Sequence, residues 1–105
     1  MNLRASDYDY FLLALANSRS SKQRKSILQY ASRKEILALS EVFVNYLLGN
    51  ISLATDKNFA TYSRYKSLFR VIGFKGHKAW LKRKQAAIDL GRVLVTFLRD
   101  VLPML

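Results

Sequence analysis

Apolar and polar positions in this chain follow the period of a helix almost from end to end, and the clearest stretch is SRKEILALSEVFVNYLLGNISL, Ser32 to Leu53. At about 100° per residue, Ile36, Leu39, Val42, Phe43, Tyr46 and Leu47 fill one broad face, and Leu37, Val44 and Leu48 carry it round the side. Lys34, Glu41 and Asn45, with Ala38, form a narrow polar strip. Ser32 with Glu35 three places on is a capping box, in which each side chain satisfies a backbone N–H at a helix start. Gly49 supplies the left-handed position that ends one. The β-branched and aromatic residues of Val42 to Leu48 would also suit a buried strand, since a continuous apolar run does not separate the two. The signals at both ends decide for a helix over about 33–48. A helix that is apolar in nearly every direction needs neighbours on nearly every side, so the other segments are expected to wrap it.

Those segments are helical in pattern too. Ser6 and Asp9 repeat the capping-box spacing, and Tyr8, Phe11, Leu12 and Leu15 fall at i, i+3, i+4 and i+7, which predicts a first helix over about 7–16. After the turn-prone Asn17 to Ser21, the residues Lys22, Arg24 and Lys25 precede Ile27, Leu28 and Ala31, giving a short second helix with a basic beginning. Cations in a first turn oppose the helix dipole by about 0.3–1 kcal/mol each, so they serve solubility or meet an anion. Beyond the central helix, Ile51 and Leu53 are expected to tuck back onto the bundle. Thr55 or Asp56 then caps a fourth helix over about 56–72, with the stripe Phe59, Tyr62, Tyr65, Leu68, Phe69 and Ile72. Gly73 is expected to stop that helix as Gly49 stops the central one, with Phe74 supplying the accompanying contact. A last helix runs from about His77 to Leu102, ended by Pro103. Its first part carries Lys78, Lys82, Arg83 and Lys84. Its later part is apolar apart from Asp89, Arg92, Thr96, Arg99 and Asp100, and Gly91 marks a kink or a close approach to another helix. The expected fold is all-α: one domain, 1–105, forming a compact bundle of about five helices around a buried central helix.

Composition narrows the chemistry. The 105 residues contain no cysteine and a single histidine, His77, so disulfides, thiolate catalysis and a histidine-based metal cluster are excluded. No glycine-rich phosphate loop and no nucleophile-and-base motif is present, which points to a non-enzymatic protein with no cofactor and no metal. Asp7 and Asp9 stand directly before the short apolar run Tyr10 to Ala16, a pattern unlike a secretory signal, so the chain is expected to be intracellular. The apolar stretch 86–105 is broken by Asp89, Arg92, Arg99 and Asp100, so no transmembrane span is expected.

Eighteen lysines and arginines stand against seven acidic residues, a formal charge of +11. The excess sits in two blocks: residues 18–35 carry six basic groups and one acidic, and residues 55–85 carry nine and one. If the bundle folds back on itself, the two blocks can form one surface, and a phosphate polymer is its natural partner. The residues assigned to phosphate contact are Arg19, Lys22, Arg24, Lys25, Arg33, Lys34, Arg64, Lys66, Arg70, Lys75, Lys78, Lys82, Arg83 and Lys84. The plain alternative is a solvated face that binds nothing, against which carboxylates are too scarce to neutralise the cations locally. Sequence-specific readout is not indicated, since zinc-finger spacing, an RNA-binding aromatic signature and a clear recognition helix are all absent. Trp80 could stack on a base, but its spacing with Lys84, Ala87 and Ile88 suits a core anchor; Tyr62 and Tyr65 lie on a packing stripe.

Several strings carry a resemblance. RKSIL at Arg24 to Leu28, Ser40 with Glu41, NYLLGNISL at Asn45 to Leu53, RYKSLFRVI at Arg64 to Ile72 and LKRK at Leu81 to Lys84 resemble small basic proteins encoded beside capsid genes in adintoviruses and Polinton (Maverick) elements. The likeness covers about 22–102, and the Asn-x-Leu-x-Gly-Asn core is its most specific part. Members carry Gly-Gly followed by aromatic and leucine residues in the last segment, where this chain has Gly91 alone, so no role attached to that motif carries over. The resemblance implies a virion component in contact with the packaged genome, DNA ahead of RNA, with the host nucleus and the virion as its locations. A rival reading gives 86–105 the leading role, binding a capsid protein, a second copy of the chain or an anionic bilayer through its apolar breadth.

Overall fold

The computed structural model describes residues 5–53, 56–74 and 80–104, apart from the side chains of residues 5–7 and 9. All its elements are helices: α1 (Ala5–Ala16), α2 (Ser21–Gln29), α3 (Arg33–Leu47), α4 (Phe59–Arg64), α5 (Lys66–Phe74), α6 (Trp80–Leu90) and α7 (Arg92–Val101), followed by a 3-10 turn, Leu102–Met104. The Cα radius of gyration, 12.3 Å, is that of a tightly folded chain of this length, for which about 13 Å is expected.

The ends of α3 follow their sequence signals. Ser32 Oγ accepts from the Glu35 N–H at 3.1 Å, and Glu35 Oε1 accepts from the Ser32 N–H at 2.8 Å. At the other end Gly49 takes φ 78°, its N–H donates to the Tyr46 carbonyl, and the Asn50 N–H donates to the Asn45 carbonyl at 2.8 Å. These are the two bonds of a Schellman motif, and they satisfy carbonyls the helix leaves open. α3 packs against α5, α6 and α1. From Glu35 to Leu47 none of its residues is exposed.

Where about five helices were expected, seven are found among the described residues. The stretch 56–72 divides at Tyr65 (φ −102°, ψ 16°), whose N–H bonds the carbonyl three residues back, at Tyr62, rather than four. The change of direction lets α4 lie along α7 while α5 packs on α3 and α6. The last helix divides at Gly91, which takes φ 59° and ψ −133°, far from any helical conformation. Of the two roles foreseen for that glycine, the break in the axis is the one taken.

Other local expectations are corrected. Gly73 does not end a helix: it lies inside α5, buried, where an added Cβ would stand 3.2 Å from Val44 Cγ2 and 3.4 Å from the Val44 backbone nitrogen. Its missing side chain lets α5 approach α3, and Phe74, expected to pack behind it, is exposed. Asp56 belongs to a turn before α4, and Asn58 occupies the N-cap without a side-chain capping bond; Thr55 lies outside the described residues. α1 already includes Ser6, and the Ser6 and Asp9 side chains lie outside those described. Ile51 and Leu53 do fold back onto the core.

The core is an aromatic cluster inside an aliphatic shell. Phe43 from α3 meets Phe69 of α5 edge-on at 4.8 Å between ring centroids and Phe97 of α7 at 4.5 Å, with Tyr46 and Tyr62 closing the group. Edge-to-face and tilted pairs at these separations add to the burial of the rings themselves. Tyr62 is buried, yet its hydroxyl donates to Asp100 Oδ2, which also accepts from Asn58 Nδ2 at 3.0 Å. That bridge ties α4 to α7.

Burial, and then the Asp100 carboxylate, push the Tyr62 phenol well above the ordinary tyrosine value of about 10, and burial raises Tyr46 as well. The folded state therefore holds protons that the unfolded chain releases. The corresponding stability is complete below pH of about 10 and is lost as pH climbs toward the folded-state values, with a slope that approaches about 1.4 kcal/mol per pH unit for Tyr62 and a smaller contribution from Tyr46. Urea midpoints between pH 9 and 12 should fall steeply, and Tyr62→Phe should remove one proton's worth of that slope. An unchanged slope in the variant would place the alkaline transition elsewhere.

Candidate nucleic-acid interface

The first block of cations surrounds α2. Ser20 caps this helix by accepting from the Gln23 N–H at 3.0 Å, and Gln23 Oε1 accepts from the Arg19 N–H at 2.9 Å. The first turn contains no acidic residue, so Lys22, Arg24 and Lys25 face the positive end of the dipole unrelieved. The second block reaches α2 through α6. The two helices pack together, and the Lys84 ammonium donates to the carbonyl of Gln29, the last residue of α2, at 3.0 Å and to that of Ala31, just beyond it, at 3.2 Å. Segments of both basic blocks are thus neighbours.

Exposure sorts the fourteen candidates. Arg19, Lys22, Lys25, Arg33, Lys34, Arg64, Lys66, Arg70 and Lys82 are exposed. Lys75 and Lys78, together with His77, lie outside the described residues. The LKRK run behaves differently from the open cationic patch expected of it. Lys84 is half-buried and committed to the Gln29 and Ala31 carbonyls, with its ammonium also 5.0 Å above the Trp80 ring. Arg83 is buried, and loss of hydration holds its guanidinium below the usual arginine value. Trp80 packs part-buried against the core, the anchor role its spacing allowed. Lys82 alone of the three cations faces water. Period explains this outcome: Arg83 shares a face with Ala86, Ala87 and Leu90, all buried, and so follows them inward.

Arg24 is drawn inward too, at 9% exposure, and one of its Nη atoms comes 3.9 Å from where a Cβ at Gly91 would stand. Arg92 and Arg99, from the polar positions of the last helix and not among the fourteen candidates, line a recess together with Arg24 and Arg19. The signal for them was present in the spacing of Arg92, Thr96 and Arg99 at i, i+4 and i+7 on a helix that is apolar apart from these and Asp100. The apolar side of 86–105, proposed above as a docking surface, is turned inward: Ala86, Ala87, Leu90, Leu94, Val95, Phe97, Leu98 and Val101 are buried in the chain's own fold.

Among the described residues no group of three His, Cys, Asp or Glu side chains could hold a metal ion, and no helix is long and apolar enough to cross a membrane. No protein-family model matches the chain, and no curated protein or solved structure matches it.

Proposed function

We propose that this chain is a non-enzymatic protein that binds nucleic acid through its phosphates without reading sequence, DNA ahead of RNA. Its setting is that of a genome-associated or minor structural protein of a virus-like element, in the host nucleus and the virion. The observation that carries the reading is the charge: +11 on a folded body, with nine of the candidate cations exposed. Three of the seven carboxylates have local duties: Glu35 holds the α3 cap, Asp89 accepts from Gln85, and Asp100 joins Tyr62 and Asn58. On the same reading the cations sit on a body wrapped around α3, which buries Ile36, Leu39, Val42 and Phe43 completely. The inward turn of 86–105 weighs against the rival, a module that binds partners through that segment's apolar face.

The test is a salt series. A protein that covers about six phosphates of a duplex loses roughly 10³-fold in affinity between 50 and 200 mM salt. Anisotropy titrations with two duplexes of unrelated sequence should give that slope and equal affinities. Substituting Lys22, Lys25 and Lys82 by glutamine should reduce the slope by about 1 for each cation that meets a phosphate. Weak salt dependence, or no binding at 50 mM, overturns the proposal. Vesicles of anionic lipid binding more tightly than either duplex would favour the membrane-surface rival.

A further inference from the structure

We infer that the recess between the start of α2 and α7 is a binding site for a phosphate monoester dianion. Its volume is about 380 Å³, at the small end of the roughly 300–1,000 Å³ found for small-molecule sites. Arg19, Ser20 and Arg24 line it from the α2 side, Arg92, Thr96 and Arg99 from α7, and no carboxylate is among the described residues that form it.

Arg24 is the decisive residue. It is about nine-tenths buried, its Nε atom is shut off from solvent, and that Nε has no hydrogen-bond partner among the described residues. A guanidinium in this position has lost much of its hydration without gaining a counter-charge among the described residues, an arrangement that disfavours the empty fold. Nε itself is out of a guest's reach, but an anion held in the recess would supply the missing opposite charge to the guanidinium as a whole. The neighbouring groups are set for the same guest. Ala16 accepts from Arg99 Nε at 2.7 Å, which holds the Arg99 side chain in place. Ser20 satisfies only the third N–H of α2, and the first two N–H groups of any helix have no partner within it, so they present donors where the dipole is positive. Planar guanidinium forks match phosphate oxygens in pairs, and four of them around one recess exceed what a monoanion needs.

Shape and charge select the ester. A phosphate monoester carries about −1.5 to −2 at neutral pH and has one organic arm, so it can enter a recess end-on. An internal phosphodiester carries −1 and would have to thread two arms through the same opening. The guest is therefore a terminal phosphate, found either at the 5′ end of a strand or on a free sugar or nucleotide. Either source suffices; the recess shares Arg19 and Arg24 with the cations assigned to phosphate contact, but its guest is a terminal phosphate and not the internal phosphates of a duplex.

The test uses the full chain with ribose 5-phosphate and inorganic phosphate, read by calorimetric titration and by thermal shift. Saturable binding and a raised Tm are expected for both, and plain ribose should do neither. Arg24→Met should keep the fold, lose the phosphate-dependent rise in Tm, and weaken ribose 5-phosphate at least tenfold. Because Arg92 and Arg99 are exposed, the double variant Arg92→Gln, Arg99→Gln gives a second readout that does not depend on tolerance at a buried position. Oligonucleotides of one sequence with a 5′-phosphate or a 5′-hydroxyl separate the sources. A tenfold preference for the phosphorylated strand that Arg24→Met abolishes assigns the site to strand ends; equal strands with retained ribose 5-phosphate binding assign it to a free ester. The inference is overturned if neither phosphate compound binds saturably, or if both sets of variants bind as wild type does. Salt-dependent duplex affinity would persist in that event, so the two proposals fail separately.

Discussion

Phe43→Ala should lower stability by about 3–5 kcal/mol, a large part of the roughly 5–15 kcal/mol that holds a domain of this size together. Phe43 has no exposed surface, and its ring sits between Phe69 at 4.8 Å and Phe97 at 4.5 Å. Truncation thus removes transfer free energy and two ring contacts, and opens a cavity at the point where α3, α5 and α7 meet. Those helices are long relative to the cavity and anchored elsewhere, so collapse into it is limited. A urea titration should show a large fall in midpoint with little change in slope, and Tm should drop by about 4–8 °C for each kcal/mol lost. Tyr10→Ala and Tyr30→Ala are the controls. Both rings are exposed, at 92% and 86%, and should shift stability by no more than about 0.5 kcal/mol. If the Phe43 variant unfolds with the controls, the aromatic cluster is not the core.

The residues that could be read in advance are those whose role depends on near neighbours in sequence. Ser32, Glu35 and Gly49 act within one turn of where they sit, and each does what its spacing promised. The main apolar stripes of α1, α2 and α3 also survive, because a stripe several turns long leaves little choice about which side faces inward, although Ala38 and Asn45 of the expected polar strip are buried and Leu48, placed on the side of the apolar face, is exposed. Gly73 shows where such reading stops. A glycine after an apolar helical run looks the same whether it ends the helix or admits a neighbour, and the presence of Val44 against it is a fact about α3. Arg83 and Lys84 show the same limit for the site. As part of LKRK they read as one charge cluster, but the packing of α6 on α2 sends one inward and ties the other to carbonyls some fifty residues away in sequence. Arg92 and Arg99 join Arg24 only because α7 leaves the line of α6, a change of direction that single-residue patterns do not encode.

That change of direction rests on Gly91, and Gly91→Ala is expected to cost about 1–3 kcal/mol. The cost would be backbone strain alone. A Cβ at this position meets only an Arg24 Nη atom at 3.9 Å, an ordinary contact, whereas φ 59° with ψ −133° is a combination that residues with a Cβ avoid. Gly49 is the informative comparison, because it too has a positive φ, 78°, with open space around it. Its Schellman geometry is the left-handed helical region, which asparagine tolerates, so Gly49→Asn should restore most of what Gly49→Ala loses. Asparagine at position 91 should bring no such recovery, since a ψ near −133° lies far from the roughly +47° of that region. The four substitutions, compared by urea midpoints, therefore separate strain at a helix cap from strain at a break between helices. A Gly91→Ala protein as stable as wild type would mean that α6 and α7 join as one continuous helix without the break. Arg92 and Arg99 would then be carried away from Arg24, and phosphate binding in the recess should be lost with the break.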